Sequence, residues 1–271
     1  MASPDVESAS GSTHSFNHLE TKPLTLDEIR RAALAEIDNA KFTWFHLKVT
    51  LVASIGMFTD AYDIFTITAV STMLGYVYGA PTPNITASDI LGLERSDELG
   101  LKAATLGGAI FGQLVFGWAA DFMGRKKMYG VELIIMVVST FAQALAGESK
   151  TGSVSIVSAL IVWRVLMGIG IGGDYPLSAI IVSEFSPIHI RGRLMAIVIG
   201  FQGIGTVAAA LVAFVVMSAF KHEIITNSQS SPFSLGLVQG PVEQMWRLLI
   251  GLGCIPAVLG LYFRFTVPET P

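Results

Sequence analysis

The stretch from Gly168 to Glu184 reads GIGIGGDYPLSAIIVSE and sets one carboxylate, Asp174, inside an otherwise apolar run. A charged group at bilayer depth costs at least ~2.5 kcal/mol even on lenient insertion scales, so such residues face a bundle interior or cavity and serve a pathway. Gly168, Gly170, Gly172 and Gly173 let a neighbouring backbone or a ligand come close, and Pro176 frees a main-chain carbonyl one turn back. A second acidic feature is Thr59-Asp60-Ala61-Tyr62-Asp63. Its two carboxylates stand at i and i+3 on one helix face, with a rise of ~4.5 Å between them. Two such acids in a low dielectric do not both ionise easily, which suits one of them to carrying a proton near neutral pH. Counted from Trp44, Asp60 lies roughly 24 Å along a helix, well past the membrane interface.

The elements that must position these acids are long and apolar. The chain has 271 residues, 52% of them hydrophobic and only 14% charged, with a mean hydropathy of +0.60. That balance belongs to membrane proteins. Six runs are long enough to span ~30 Å of hydrocarbon, at about 45–77, 100–121, 128–147, 154–184, 194–220 and 246–267. They predict an all-α, six-helix transmembrane bundle over 44–271, preceded by a soluble tail over 1–43. Within the tail, Thr25-Leu26-Asp27-Glu28 before IRRAALAEI carries a capping signature and predicts a short amphipathic helix. No apolar core follows an early basic start, so the tail does not resemble a secretory signal.

Charge orients the spans. Arg30, Arg31, Lys41 and Lys48 precede the first, Arg125, Lys126 and Lys127 lie between the second and third, and Arg191 and Arg193 lie between the fourth and fifth. The alternate loops hold only Arg95, Lys150 and Lys221. The positive-inside rule then puts the N-terminus in the cytosol, and the sequon Asn84-Ile85-Thr86 falls in the first outward loop.

The remaining composition narrows the function. No basic stripe is available for nucleic acid, and the 21 acids and 17 bases cluster in tails and loops. The lone Cys254 excludes an internal disulfide or CxxC pair. His14, His18, His46, His189 and His222 are scattered through tails, loops and span ends, which suggests no metal site. No Ser/His/Asp set or phosphate-cradling P-loop argues for an enzyme, and no cofactor is expected. Glu132, one turn into span three, reads as a partner for the basic turn before it. Apart from Arg164, almost no cation is expected at membrane depth.

Several segments carry a family resemblance. Gly117-Trp118-Ala119-Ala120-Asp121-Phe122-Met123-Gly124-Arg125-Lys126-Lys127 resembles the signature loop of the major facilitator superfamily, where it is a cytoplasmic gate latch. Glu184-Phe185-Ser186-Pro187-Ile188-His189-Ile190-Arg191-Gly192-Arg193 is similar to the E-x-x-P-x-x-x-R-G-R element of the sugar-porter branch. Arg164 with Gly168, and Pro268-Glu269-Thr270-Pro271, resemble two more of its elements. By the positive-inside topology Asp121, Arg125, Glu184 and Arg191 share one membrane face, where a network could hold a gate shut.

Gly172-Gly173-Asp174-Tyr175-Pro176-Leu177-Ser178-Ala179 with Ser183-Glu184 resembles the signature of the phosphate:proton symporters of fungi and plants, with Ile180 where Thr is common. The resemblance implies the N-terminal half of a major facilitator fold, built as a 3+3 inverted repeat that makes spans one and four equivalent. It implies that Tyr175 donates to bound phosphate, that Asp174 accompanies it, and that Gln202 is a further ligand. Asp60 and Asp63 correspond to the family's span-one acids proposed to carry protons. Phosphate beside carboxylates is repelled, so protonating Asp60, Asp63 or Asp174 would make proton and anion binding mutually favourable. The expectation is import of inorganic phosphate with protons across the plasma membrane by alternating access. A second six-helix half is required as partner. A sugar or organic-ion porter, and a non-transporting membrane sensor or interaction module, are the alternatives.

Overall fold

The computed structural model describes residues 43–79, 93–147, 155–230 and 235–265, together with Thr25 and Asp27. The chain divides into two units, Met1–Glu36 and Ile37–Pro271. In the first unit only Thr25 and Asp27 are described, and both are exposed. The amphipathic helix after Thr25, the sequon at Asn84, the segment Pro268–Pro271 and the basic residues Arg30, Arg31, Lys41 and Lys150 lie outside the described residues.

The described residues of the second unit form six helices: α1 Trp44–Tyr78, α2 Arg95–Met123, α3 Arg125–Leu145, α4 Ile156–Phe185, α5 Ile188–Ser230 and α6 Leu235–Phe265. Their ends have local causes. α1 starts at a capping box in which the Thr43 N–H donates to His46 Nδ1 at 3.1 Å, a histidine filling the place usually held by Glu or Gln. The break between α2 and α3 is a single residue, Gly124, whose φ of 91° is open to glycine at little cost. α4 stops two residues before Pro187, as the restricted backbone before a proline requires. α5 begins at once after that proline, so the Arg191-Gly192-Arg193 segment is helical rather than looped. α6 likewise starts well before its apolar run and carries Pro241 and Pro256 within it.

Five of these helices are long and apolar enough to cross a membrane: α2, Lys127–Leu145 of α3, α4, Ile188–Thr226 of α5 and Gln239–Phe265 of α6. α1 is as long, but polar residues interrupt its apolar stretch. Its Thr50, Ser54, Thr59, Asp60, Asp63 and Thr66 are all buried against the other helices, so its polarity points inward.

α4 packs most extensively on α2 and α3, while α1 packs most extensively on α5 and α6. Exchanging the first three helices with the last three maps one set of pairings onto the other, which is the symmetry of a 3+3 repeat. The tightest seam is α2 against α4. A Cβ on Gly108 or Gly112 would meet the carbonyls of Val165 and Ile169, and one on Gly168 or Gly172 would meet those of Thr105 and Ala109. Both helices therefore carry Gly-x-x-x-Gly on the facing side, which lets the backbones touch. Away from the seam α2 exposes Ile110, Phe111, Leu114 and Trp118, and α5 exposes Val207, Leu211 and Phe214.

Candidate functional site: a buried carboxylate and arginine cluster

The close approach of α2 to α4 fixes the depth and rotation of Asp174, which lies two residues past Gly172 and is 0% exposed. Ser178, one turn on, donates its hydroxyl to Asp174 Oδ1 at 2.5 Å. The other oxygen accepts from Arg264 Nη2 at 2.7 Å. Arg264 is only 3% exposed and is held from several sides. Its Nη1 donates to the Tyr129 carbonyl at 2.8 Å and pairs with Glu132 Oε1. The guanidinium lies over the Tyr129 ring, 3.8 Å from Cζ to the ring centre. One cation of α6 thus joins α3 and α4 through two carboxylates.

This arrangement corrects two expectations. Glu132 does not serve the basic turn before α3; it is fully buried and takes Arg264 as its partner. Arg164 is also not the lone cation at depth, because Arg264 is a second one and sits closer to Asp174. Arg164, itself buried, instead donates from Nη1 to the backbone carbonyl of Asp63 at 3.3 Å, tying α4 to α1.

The two α1 acids have different surroundings. Asp63 Oδ2 accepts from Thr140 Oγ1 of α3 at 3.3 Å, and α6 comes so near that a Cβ on Gly253 would stand against Asp63 Oδ1. Asp60 is 0% exposed, and neither of its oxygens finds a hydrogen-bond partner among the described residues. The charges acting on it belong to Asp174, Arg264 and Asp63. Gly56, one turn earlier on the same helix face, explains how Arg264 reaches α1: a Cβ there would collide with Arg264 Nη2 and Asp174 Oδ2. Asp174 of α4 thus reaches α1 one turn before Asp60.

Beside the cluster stands the pair expected to touch substrate. Gln202 of α5 donates from Nε2 to the Tyr175 hydroxyl at 2.6 Å, and both residues are partly buried. Because the amide is the donor, the phenolic O–H remains available to donate to an anion. Tyr175 follows Asp174 directly in α4 and is half-buried. Chemically, four buried carboxyl groups, Asp60, Asp63, Glu132 and Asp174, share two buried guanidiniums, Arg164 and Arg264. Among the described residues the interior holds two more acids than bases, an imbalance that is costly in a low dielectric while every group is charged.

At the end of the bundle near Gly124, Arg125 and Glu184 form an ion pair. Asp121 is exposed at the end of α2 and is separated from Arg125 by the Gly124 break, so the two do not share a helix face. Arg191 donates to the Ser186 carbonyl at 3.3 Å. Among the described residues no group of three or more His, Cys, Asp or Glu side chains is arranged to hold a metal ion.

Sequence reasoning missed Arg264, Tyr129 and Thr140. A cation near the end of an apolar run reads as a helix-end residue, and nothing local marks its partners.

Residues 49–271 match the family described as sugar (and other) transporter. A repressible high-affinity phosphate permease of Neurospora crassa is 45% identical over 250 residues, which cover 90% of this chain and 41% of the permease. An inorganic phosphate transporter of Saccharomyces cerevisiae is 40% identical over 259 residues, covering 94% of this chain and 41% of its own length. The chain therefore spans about two fifths of the length of these curated relatives. Among solved structures, a partially occluded, inward-open form of the xylose transporter XylE from E. coli is similar, with a TM-score of 0.63 and 26% identity over 84% of this chain and 50% of that one. The six helices are arranged as the N-terminal half of a major facilitator fold. With its apolar helices and this match, the chain is a multi-pass membrane protein that belongs to the sugar (and other) transporter family.

Proposed function

We propose that this chain is the N-terminal bundle of a transporter that imports inorganic phosphate together with protons by alternating access. The observation that carries the reading is the Tyr175–Gln202 pair, which adjoins Asp174 in a buried cluster with two more acids than bases among the described residues. Tyr175 and Gln202 bind phosphate, and Asp174 conditions the charge beside it. Asp60 and Asp63 carry protons, with Asp174 as the third acid of the coupling set. Protonation lowers the negative charge that an incoming anion meets, so each ligand raises the other's affinity. Kinship with proteins named as phosphate transporters supports the choice of anion.

A second six-helix half closes the site from the opposite side, facing the exposed apolar residues of α2 and α5. Asp121, Arg125, Glu184 and Arg191 form the cytoplasmic gate, with the Arg125–Glu184 pair at its centre. The N-terminus lies in the cytosol of a plasma-membrane protein. In the complete transporter, uptake of labelled phosphate should rise as the outside pH falls and collapse with an uncoupler, with little competition from sugars. Uptake insensitive to both pH and uncoupler would remove proton coupling, and strong competition by a sugar would redirect the site to a sugar.

A further inference from the structure

Arg264 touches more of the buried cluster than any acid does. Its two terminal nitrogens serve Glu132 and Asp174, and its Cζ lies over the Tyr129 ring. On the remaining side it lies against Gly56, the residue one helical turn before Asp60. A turn of helix is ~5.4 Å, within the swing of an arginine side chain. Asp60 meanwhile is completely buried with two oxygens that no hydrogen bond among the described residues satisfies. A buried ionised carboxylate in that condition is strongly disfavoured. The observed geometry therefore fits one protonation state, in which Asp60 is neutral and Arg264 rests on Asp174. In the other state Asp60 is a buried anion with a guanidinium one turn away.

We propose that Arg264 is a positioning residue that alternates between two acids, pairing with Asp174 while Asp60 holds a proton and moving onto Asp60 when that proton leaves. Only the proton is transferred, from the Asp60 carboxyl to water, and the guanidinium changes partner without changing charge. Glu132 and the Tyr129 ring hold the other half of the guanidinium through the exchange. Gly56 is the slot that lets Nη2 pass along α1, since any Cβ there would block it. Asp174, released from its cation, then presents an uncompensated negative charge next to the Tyr175 hydroxyl and repels the anion. The proton on Asp60 thus controls the anion site through Arg264, which itself need not touch phosphate. The other titratable and charged groups facing the exchange are Asp63 on α1, Tyr129 and Glu132 on α3, and Arg164, Asp174 and Tyr175 on α4. Arg164 is engaged at Asp63, so it does not compete for Asp60.

The inference rests on the phosphate:proton reading, and its test separates the two. Phosphate binding to the complete transporter in detergent is measured across acid to mildly alkaline pH for wild type, Asp60→Asn, Arg264→Lys and the double variant. Asp60→Asn imitates the protonated acid and should flatten the pH profile, leaving only what phosphate itself and the other acids contribute. Arg264→Lys keeps a cation but loses the two-sided grip, and should shift the wild-type pH profile. In the double variant the Lys substitution should no longer affect the pH profile, a coupling of at least ~10-fold in the cycle. Additive effects within 2-fold would overturn the exchange, and no phosphate binding by wild type would instead overturn the transport reading. Infrared difference spectra serve if Arg264→Lys does not fold. One component of the protonated-carboxyl band that appears on acidification should be missing in Asp60→Asn and present in Asp174→Asn. Its persistence in Asp60→Asn would also overturn the proposal.

Discussion

Tyr175 and Arg264 show how much depends on which partner donates. The Gln202 amide spends its N–H on the phenolic oxygen, so Tyr175→Phe removes both an acceptor for Gln202 and the donor offered to phosphate. A lost hydrogen bond of about 1 kcal/mol corresponds to a ~5-fold rise in the KM of phosphate uptake, with little change in protein stability. Arg264→Met should act the opposite way, on stability first. It leaves Glu132 and Asp174 buried without their base, and breaking a buried pair from one side costs about 3–5 kcal/mol. Thermal unfolding in detergent at neutral pH should show that loss. The deficit should shrink as pH falls, because protons then neutralise the acids that the guanidinium had served. A deficit that is constant with pH would mean the side chain matters by packing alone.

At the scale of the helix, backbone contact decides what a methyl group costs. A Cβ on Gly172 would press on the Ala109 carbonyl, whereas one on Gly107 would meet open space. Gly172→Ala should therefore lower the melting temperature by an overpacking cost of roughly 1–3 kcal/mol, and Gly107→Ala should stay within about 0.5 kcal/mol. The same contrast explains what was legible before the fold was known. Asp60, Asp63 and Asp174 stood out because a carboxylate in an apolar run is costly wherever the helix ends up. Six helices were legible for the same compositional reason. The true beginnings of α5 and α6 were not, since hydropathy marks where lipid lies and the hydrogen-bond ladder continues through Arg191-Gly192-Arg193 regardless. Arg264 was illegible in a different sense. Its meaning lies in Glu132 and Asp174, 132 and 90 positions away, and a cation in the last turn of an apolar helix otherwise reads as one that extends to the interface.

Across the whole bundle, interior and ends obey different electrostatics. The Arg125–Glu184 pair is partly exposed on both side chains, and such pairs contribute roughly 0–1 kcal/mol to stability. Glu184→Gln should leave the melting temperature nearly unchanged. Under the proposed gate it should instead alter transport, favouring the state open to the cytosol, and labelling of a cysteine placed at Ser183 would report the added access. Unchanged labelling would reduce the pair to a surface contact.

Gly124 has a consequence for how the protein is made. One residue joins α2 to α3, and a single residue spans at most ~3.6 Å, far short of what would let the two helices enter a bilayer independently. They must pass from the ribosome into the membrane as one hairpin, its tip carrying Arg125, Lys126 and Lys127. A cationic tip of that kind resists translocation. The turn thus also biases which way α2 and α3 face when they insert behind α1.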